Sequence, residues 1–214
     1  MGQVEMKGER RDFDGAAASW DEPRRVKMAD DIARAILEEV TVTPEMDVLD
    51  FGCGTGLLTL HFPPLARSVT GVDSSPGMIA VIKKKIEEQR LGNVRVQHLD
   101  LDRDDILEGR YHLITSSMTF HHIRDVPLLL GRLYEVTAPG GHLCVADLDP
   151  DGGRFHGDNP DGVFHDGFDR AEMRRLLASA GFRDINARTA ATVEKPVPGG
   201  RGKFTIFLVT GRKH

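Results

Sequence analysis

A chain of 214 residues, 40% hydrophobic and 29% charged, is ordinary for a soluble globular protein and long enough for one domain with a substantial buried core. Its formal net charge of −5 argues against a broad phosphate-binding surface, so nucleic acid is not expected as a main partner. No apolar run reaches the ~20 residues needed to span a bilayer, and the polar N-terminal stretch lacks the apolar centre of a signal peptide, so no membrane association is expected.

Residues 1–14 are polar, charged and without periodicity, which reads as a flexible tail ahead of a single domain over 15–214. A helix follows, with Asp21 as its cap, Pro23 in its first turn, and Val26, Ala29, Ala33, Ile36, Leu37 and Val40 at helical spacing. Trp20, the sole tryptophan, precedes it as a packing anchor or as part of a lid over a ligand. Arg24 and Arg25 are either surface residues of the first turn or groups that approach an acidic ligand.

Asp47 to Phe51 reads as the first strand, and Leu57 to Phe62 as a short helix stopped by Pro63 and Pro64. The second strand runs from Ser68 to Asp73. Ser74 and Ser75 then cap a helix that starts at Pro76 and turns Met78, Ile79, Ile82 and Ile86 inward. Lys83, Lys84 and Lys85 are contiguous on that helix and read as a solvated face.

Asn93 to Leu99 makes a third strand, followed by an acidic loop, and Tyr111 to Ser116 a fourth. The helix from Asp125 to Thr137 places Val126, Leu129, Leu130, Leu133 and Val136 on one face. Pro139, Gly140 and Gly141 punctuate before a fifth strand, His142 to Leu148. The loop over 149–167 is long enough to suggest a substrate lid, with Phe155, Phe164 and Phe168 as its apolar members. Asp169 and Glu172 form a capping box for the next helix, which Gly181 stops. Two β-rich runs, Asp184 to Val193 and Lys203 to Gly211, close the chain as a hairpin.

Strands alternating with helices imply an α/β, doubly wound, Rossmann-like sheet, mostly parallel, with an antiparallel strand from the C-terminal hairpin and helices on both faces. In such a sheet ligands bind at the carboxyl ends of the strands. Polar residues stand at each of those ends: Asp50, Asp73, Asp100, Ser116 and Asp147.

The stretch VLDFGCGTGLLT joins the first strand to a loop with glycines at 52, 54 and 56. Glycine is required where a side chain would block the turn or the approach of a ligand to exposed N–H groups. Asp73 lies 21 positions after Gly52, close to the roughly 20-residue offset at which an acid accepts hydrogen bonds from ribose hydroxyls. A dinucleotide loop has the pattern GxGxxG; here the third glycine comes one residue early and Leu57 holds its place.

At these residues the chain resembles the class I S-adenosylmethionine-dependent methyltransferases, in particular the small-molecule UbiE-like, or type 11, group. The resemblance spans roughly residues 13–211 through VLDFGCGTG, GVDSSPGMI, HLDLD, YHLITSSMTFHHI, APGGHLCVAD and FDRAEMRRLLASAGF. It implies methyl transfer from S-adenosyl-L-methionine to an O, N or C nucleophile of a small molecule, with S-adenosyl-L-homocysteine as product. It implies further that Asp50, Gly52, Cys53 and Gly54 hold the methionine part of the cofactor. Asp73 would bind the ribose diol, Ser74 and Met78 flank the adenosine, and Asp100 and the Leu101 backbone meet the adenine. Ser116 would close the site near the methionine. The segment Ser116-Ser117-Met118-Thr119 departs from the Asn/Asp-Pro-Pro-aromatic pattern used on base or glutamine nitrogens, which disfavours those targets.

A weak nucleophile still needs a base, and His121 and His122, just past the fourth strand, are equal candidates, since their ordinary pKa of ~6.5 suits proton removal near neutrality. Asp147 is a candidate for orienting the acceptor, and Trp20 and Phe164 for touching it. His156, Asp158, Asp161, His165 and Asp166 show no metal-ligand spacing, so no metal is expected. Cys53 and Cys144 likewise lack zinc spacing and read as free thiols in a reducing, cytoplasmic compartment. Two rivals stand beside this reading: an NAD-type oxidoreductase, and a methyltransferase-like module that binds the cofactor without turnover.

Overall fold

The computed structural model describes residues 12–100, 106–157, 161–198 and 200–214. Leu101, Asp158 and most of the expected tail lie outside the described residues. Seven strands form one sheet: β1 (Asp47–Phe51), β2 (Ser68–Asp73), β3 (Val94–His98), β4 (Tyr111–Ser117), β5 (Thr137–Leu148), β6 (Arg183–Val197) and β7 (Gly200–Arg212). Their order is β3-β2-β1-β4-β5-β7-β6. The first five pair in parallel, and β7 enters antiparallel between β5 and β6. This is the Rossmann-like sheet with a closing hairpin that the alternation of elements implied. The strand order reverses between β1 and β4, which opens a crevice above their carboxyl ends.

Burial on both faces explains the near-continuous apolar runs of the central strands. Val48, Val69, Leu113 and Cys144 point to the layer that contains helix α2 (Pro23–Glu39). Leu49, Val72, Ile114, Leu143 and Val145 point to the layer of α4 (Val126–Val136) and α5 (Arg170–Ser179). On α2 the inward residues are Ala29, Ile32, Ala33, Ala35 and Ile36, while Val26 is exposed. Among the described residues no helix is long and apolar enough to cross a membrane.

Several local expectations are corrected. Glu22, not Asp21, stands at the N-cap of α2. Asp21 instead accepts from the Thr55 hydroxyl at 2.6 Å and pairs with Lys85 at 2.5 Å. Lys85 is therefore no member of a solvated face; it also donates to the Thr55 carbonyl at 2.7 Å. It lies on α3 (Pro76–Gln89) and, with Asp21, ties α2 and α3 to the glycine loop. The expected helix at Leu57 is only a 3₁₀ turn, Thr59–His61, because six residues before two prolines are too few to propagate α-helical bonding.

The strand expected from His142 begins at Thr137, and the hairpin strands pair as far as Val197 with Gly200. Phe168 is not part of a lid: it is buried in the core with Met173 and Leu177 of α5. Residues 12–14, read as the end of a tail, are ordered. Phe13–Ala16 forms a single helical turn, α1, and Asp14 accepts hydrogen bonds from the Ser75 hydroxyl and from the Gly77 N–H at the start of α3. A side chain at Gly77 would meet the Asp14 backbone at 2.8 Å, so only glycine lets α1 dock there.

Candidate functional site

A cavity of about 590 Å³ opens above the ends of β1 to β4. Its floor is the glycine loop. The N–H groups of Gly52 and Cys53 both donate to the Val72 carbonyl, at 2.9 and 3.0 Å, which folds the loop over the end of β2. Gly52 has φ +74°, and a Cβ there would lie 2.2 Å from the Thr119 hydroxyl. Gly54 has φ +53°, but nothing stands within 4 Å of the Cβ it lacks. Its missing side chain leaves open space in a loop that lines the cavity, a cradle for close approach of a ligand to backbone.

Asp73 fastens this loop. Its two carboxylate oxygens accept from the Gly54 N–H at 2.8 Å and the Ser75 N–H at 2.9 Å. Burial raises its pKa above the usual carboxylate range against the pull of those N–H groups. Ser75 caps α3 by accepting from the Met78 N–H at 3.1 Å. The Ser74 carbonyl meets the His98 ring at 3.0 Å, and Met78 and Asp100 complete this wall.

Asp50 is fully buried and accepts from Thr59 at 2.6 Å and Thr115 at 3.0 Å. Burial pushes its pKa up to about 6. A carboxyl with a raised folded-state pKa is more stable protonated, so its contribution to stability falls as pH rises from about 4 to about 6. Asp50→Asn is expected to remove this decline from the pH dependence of the ligand-free melting temperature. A variant whose profile matches wild type over that window would refute the assignment.

The opposite wall holds the histidines. His121 Nδ1 lies 2.7 Å from Asp147 Oδ1, with both residues at most 1% exposed. The His121 N–H also donates to the other Asp147 oxygen at 3.3 Å. Burial works against ionised Asp147, but His121 and three hydrogen bonds hold its pKa below the usual range. His122 Nδ1 donates to the Gly162 carbonyl at 2.6 Å; a carbonyl can only accept, so Nε2 bears the lone pair when the ring is neutral. Burial, then the neighbouring His121, bring its pKa down to about 3. The two rings lie 4.1 Å apart, and His156 stacks 4.9 Å from His121.

The segment after Asp149 is anchored on this turn. Phe164 and His165 donate to the His121 carbonyl at 2.9 and 3.3 Å, and His165 meets the Ile123 carbonyl at 2.8 Å. Phe164 faces the cavity beneath Arg124, whose guanidinium lies 4.2 Å from its ring. Trp20 also lines the cavity, with Phe13 edge-on at 5.8 Å and Arg25 stacked at 4.0 Å.

The structure thus brings Asp50, Gly52, Cys53, Gly54, Asp73, Ser74, Met78, Asp100, His121, His122, Trp20 and Phe164 around one space. Among the described residues expected to hold the cofactor, Ser116 is the exception. It is fully buried and donates to the Phe51 carbonyl at 2.8 Å, while Ser117, pointing to the other face of the strand, lines the cavity. Asp147 does not line it and is connected to it through its contact with His121. Phe13, Asp14, His98 and Lys195 also line the cavity, though no motif or spacing marked them, because their segments converge only on folding; His156, noted only among the polar residues of its loop, lies beside His121. Among the described residues no three His, Cys, Asp or Glu side chains converge as a metal site.

A family model described as a methyltransferase domain matches residues 20–187. A methyltransferase of Schizosaccharomyces pombe is 33% identical over 149 residues, covering 63% of this chain and 52% of that protein. Trans-aconitate 2-methyltransferase of Deinococcus radiodurans is 36% identical over 117 residues, covering 53% of this chain and 42% of that protein. The chain spans about half the length of these curated relatives. Among solved structures, a SAM-dependent methyltransferase of Aquifex aeolicus superposes with a TM-score of 0.68 at 22% identity, covering 94% of this chain and 98% of that one, a likeness of fold.

Proposed function

The chain belongs to the family of methyltransferase domains, and from that premise we propose that it moves a methyl group from S-adenosyl-L-methionine to a small-molecule acceptor in the cytoplasm, releasing S-adenosyl-L-homocysteine. The observation that carries the reading is the cradle at Gly54, open toward the cavity and tied by its N–H to Asp73. The residues present fit the cofactor. Gly52, Cys53 and Gly54 would receive the methionine part beside Asp50, with Ser117 and Thr119 in the place first given to Ser116. Asp73 would accept from the ribose hydroxyls, and Ser74, Met78, Asp100 and the Leu101 backbone would hold the adenosine.

Bound there, the cofactor supplies a methyl group already activated by its sulfonium, so the protein's task is to hold the acceptor in line and to take its proton. The buried His121–Asp147 pair favours base-assisted transfer to an atom that must lose a proton, a hydroxyl or an acidic carbon. Asp147 accepts the Nδ1 proton of His121, leaving Nε2 as the basic nitrogen and stabilising the imidazolium that forms. His122 lacks such a carboxylate and is held neutral, which makes it a wall and hydrogen-bonding residue. The segment over 149–167 is read as a lid seated on the His121 carbonyl through Phe164. The D. radiodurans relative is itself named for a small-molecule acceptor.

The test has two steps. Equilibrium titration is expected to show binding of S-adenosyl-L-methionine and none of NAD; the reverse result rejects the proposal in favour of an oxidoreductase. Labelled cofactor incubated with a broad metabolite pool is then expected to yield one methylated product, identified by mass. Cofactor binding without any methylated product would mark a silent binding module. The two buried free cysteines suit a reducing compartment.

A further inference from the structure

Charge on the cavity wall is divided. Among the described residues, the carboxylates that line it, Asp12, Asp14, Asp50, Asp73 and Asp100, all come from the α1 region or from the ends of β1 to β3. Among the described residues no carboxylate lines the remaining wall, which carries Arg24, Arg25, Arg124 and Lys195. In a chain of net charge −5 this is a local arrangement, not a reflection of composition.

The four cations differ. Arg24 and Arg25 both pair with Glu22, at 3.3 and 3.2 Å, at the end of α2 that Asp21 ties to the glycine loop. Arg124 rests on the Phe164 ring and pairs with no carboxylate among the described residues. Phe164 is in turn bonded to the His121 carbonyl. Lys195 lies 4.7 Å over the Phe155 ring and donates to the Phe155 carbonyl; the next residue, His156, stacks on His121. Arg124 and Lys195 therefore each stand on an aromatic residue coupled to the candidate base.

We propose that the acceptor is an anion, a small carboxylic acid whose carboxylate docks against Arg124 and Lys195 while its reacting atom lies beside His121. A guanidinium supported on an aromatic face keeps its donor fork available for a carboxylate. Inside a cavity that excludes part of the solvent, that attraction exceeds its value in water. A neutral amide of the same shape loses it. The assignment rests on the methyl-transfer reading for the presence of an acceptor, but its test does not require turnover.

Trp20 is the only tryptophan and lines the cavity, so its fluorescence reports occupancy. Malonate, glutarate and benzoate are titrated against their amides, with and without saturating S-adenosyl-L-homocysteine. The expected result is that at least one acid binds about tenfold or more tightly than its amide, as a charge-assisted hydrogen bond requires. Arg124→Ala should close that gap and Arg124→Lys retain part of it, with the affinity for S-adenosyl-L-homocysteine unchanged in both.

Equal behaviour of acid and amide in every pair, absent binding included, overturns the proposal. So does an acid preference that survives in Arg124→Ala and in Lys195→Met, or a product affinity that falls as far as the acid's, since the cations would then serve the cofactor's own carboxylate. Failure to bind S-adenosyl-L-homocysteine with the acid preference intact defeats the methyl-transfer reading alone.

Discussion

Replacing His121 with alanine is expected to lower kcat for methyl transfer by roughly 10²–10⁴-fold, the usual share of a positioned general base, with the cofactor affinity little changed. His121 Nδ1 pairs with a fully buried carboxylate that the Leu148 N–H also holds in place. Asp147→Asn tests the same pair from behind. An amide in that position offers a donor where the ring also donates, so the imidazole loses its preferred tautomer and the charge that would stabilise its protonated form.

The signature of this positioning role is a loss in kcat with little change in KM, since the acceptor still binds while its proton is taken less readily. Asp147→Glu should restore part of the rate. His122→Asn is expected to cost far less, since burial already holds that ring neutral and its Nδ1 is bonded to a backbone carbonyl, not to a carboxylate. A His121→Ala variant that keeps the wild-type rate at saturating acceptor would remove the base assignment.

Asp73→Ala is expected to weaken S-adenosyl-L-methionine binding by ~1.5–3 kcal/mol, about 10–150-fold, the range for hydrogen bonds to a charged group. Two losses combine. The ribose hydroxyls lose their acceptor, and the N–H groups of Gly54 and Ser75 lose the carboxylate that fixes the loop against α3. Calorimetric titration measures the sum. Asp73→Asn separates the parts, because one amide oxygen can still accept from one N–H while its NH₂ opposes the other. Unchanged affinity in Asp73→Ala would exclude the ribose role.

How much of this could be read without coordinates depends on the range of the interactions. The glycine loop was legible because its constraint is local: Gly52 and Gly54 adopt φ values that other residues rarely hold, and the apolar run before them ends at the sheet's edge. The site's acidic residues follow from the same logic, since the end of a parallel strand is where polar side chains meet the crevice. The inference fails one residue further on. Ser116 and Ser117 are equivalent as letters, and only the face of β4 that each occupies shows which one reaches the cavity.

By itself the sequence determined the alternation of strands and helices, the doubly wound sheet, the glycine loop and the carboxylate at Asp73, all of which rest on periodicity, backbone conformation and spacing within about one βαβ unit. Tertiary structure alone decided the rest. It set Asp14 on the start of α3 across 61 positions, turned Lys85 from a surface charge into a tie between helix and loop, and gave Asp147 to His121 rather than His122. Each of those choices depends on which distant segments cross at the strand ends, and a hydrogen-bond partner is fixed by position in space, which neighbouring letters do not encode.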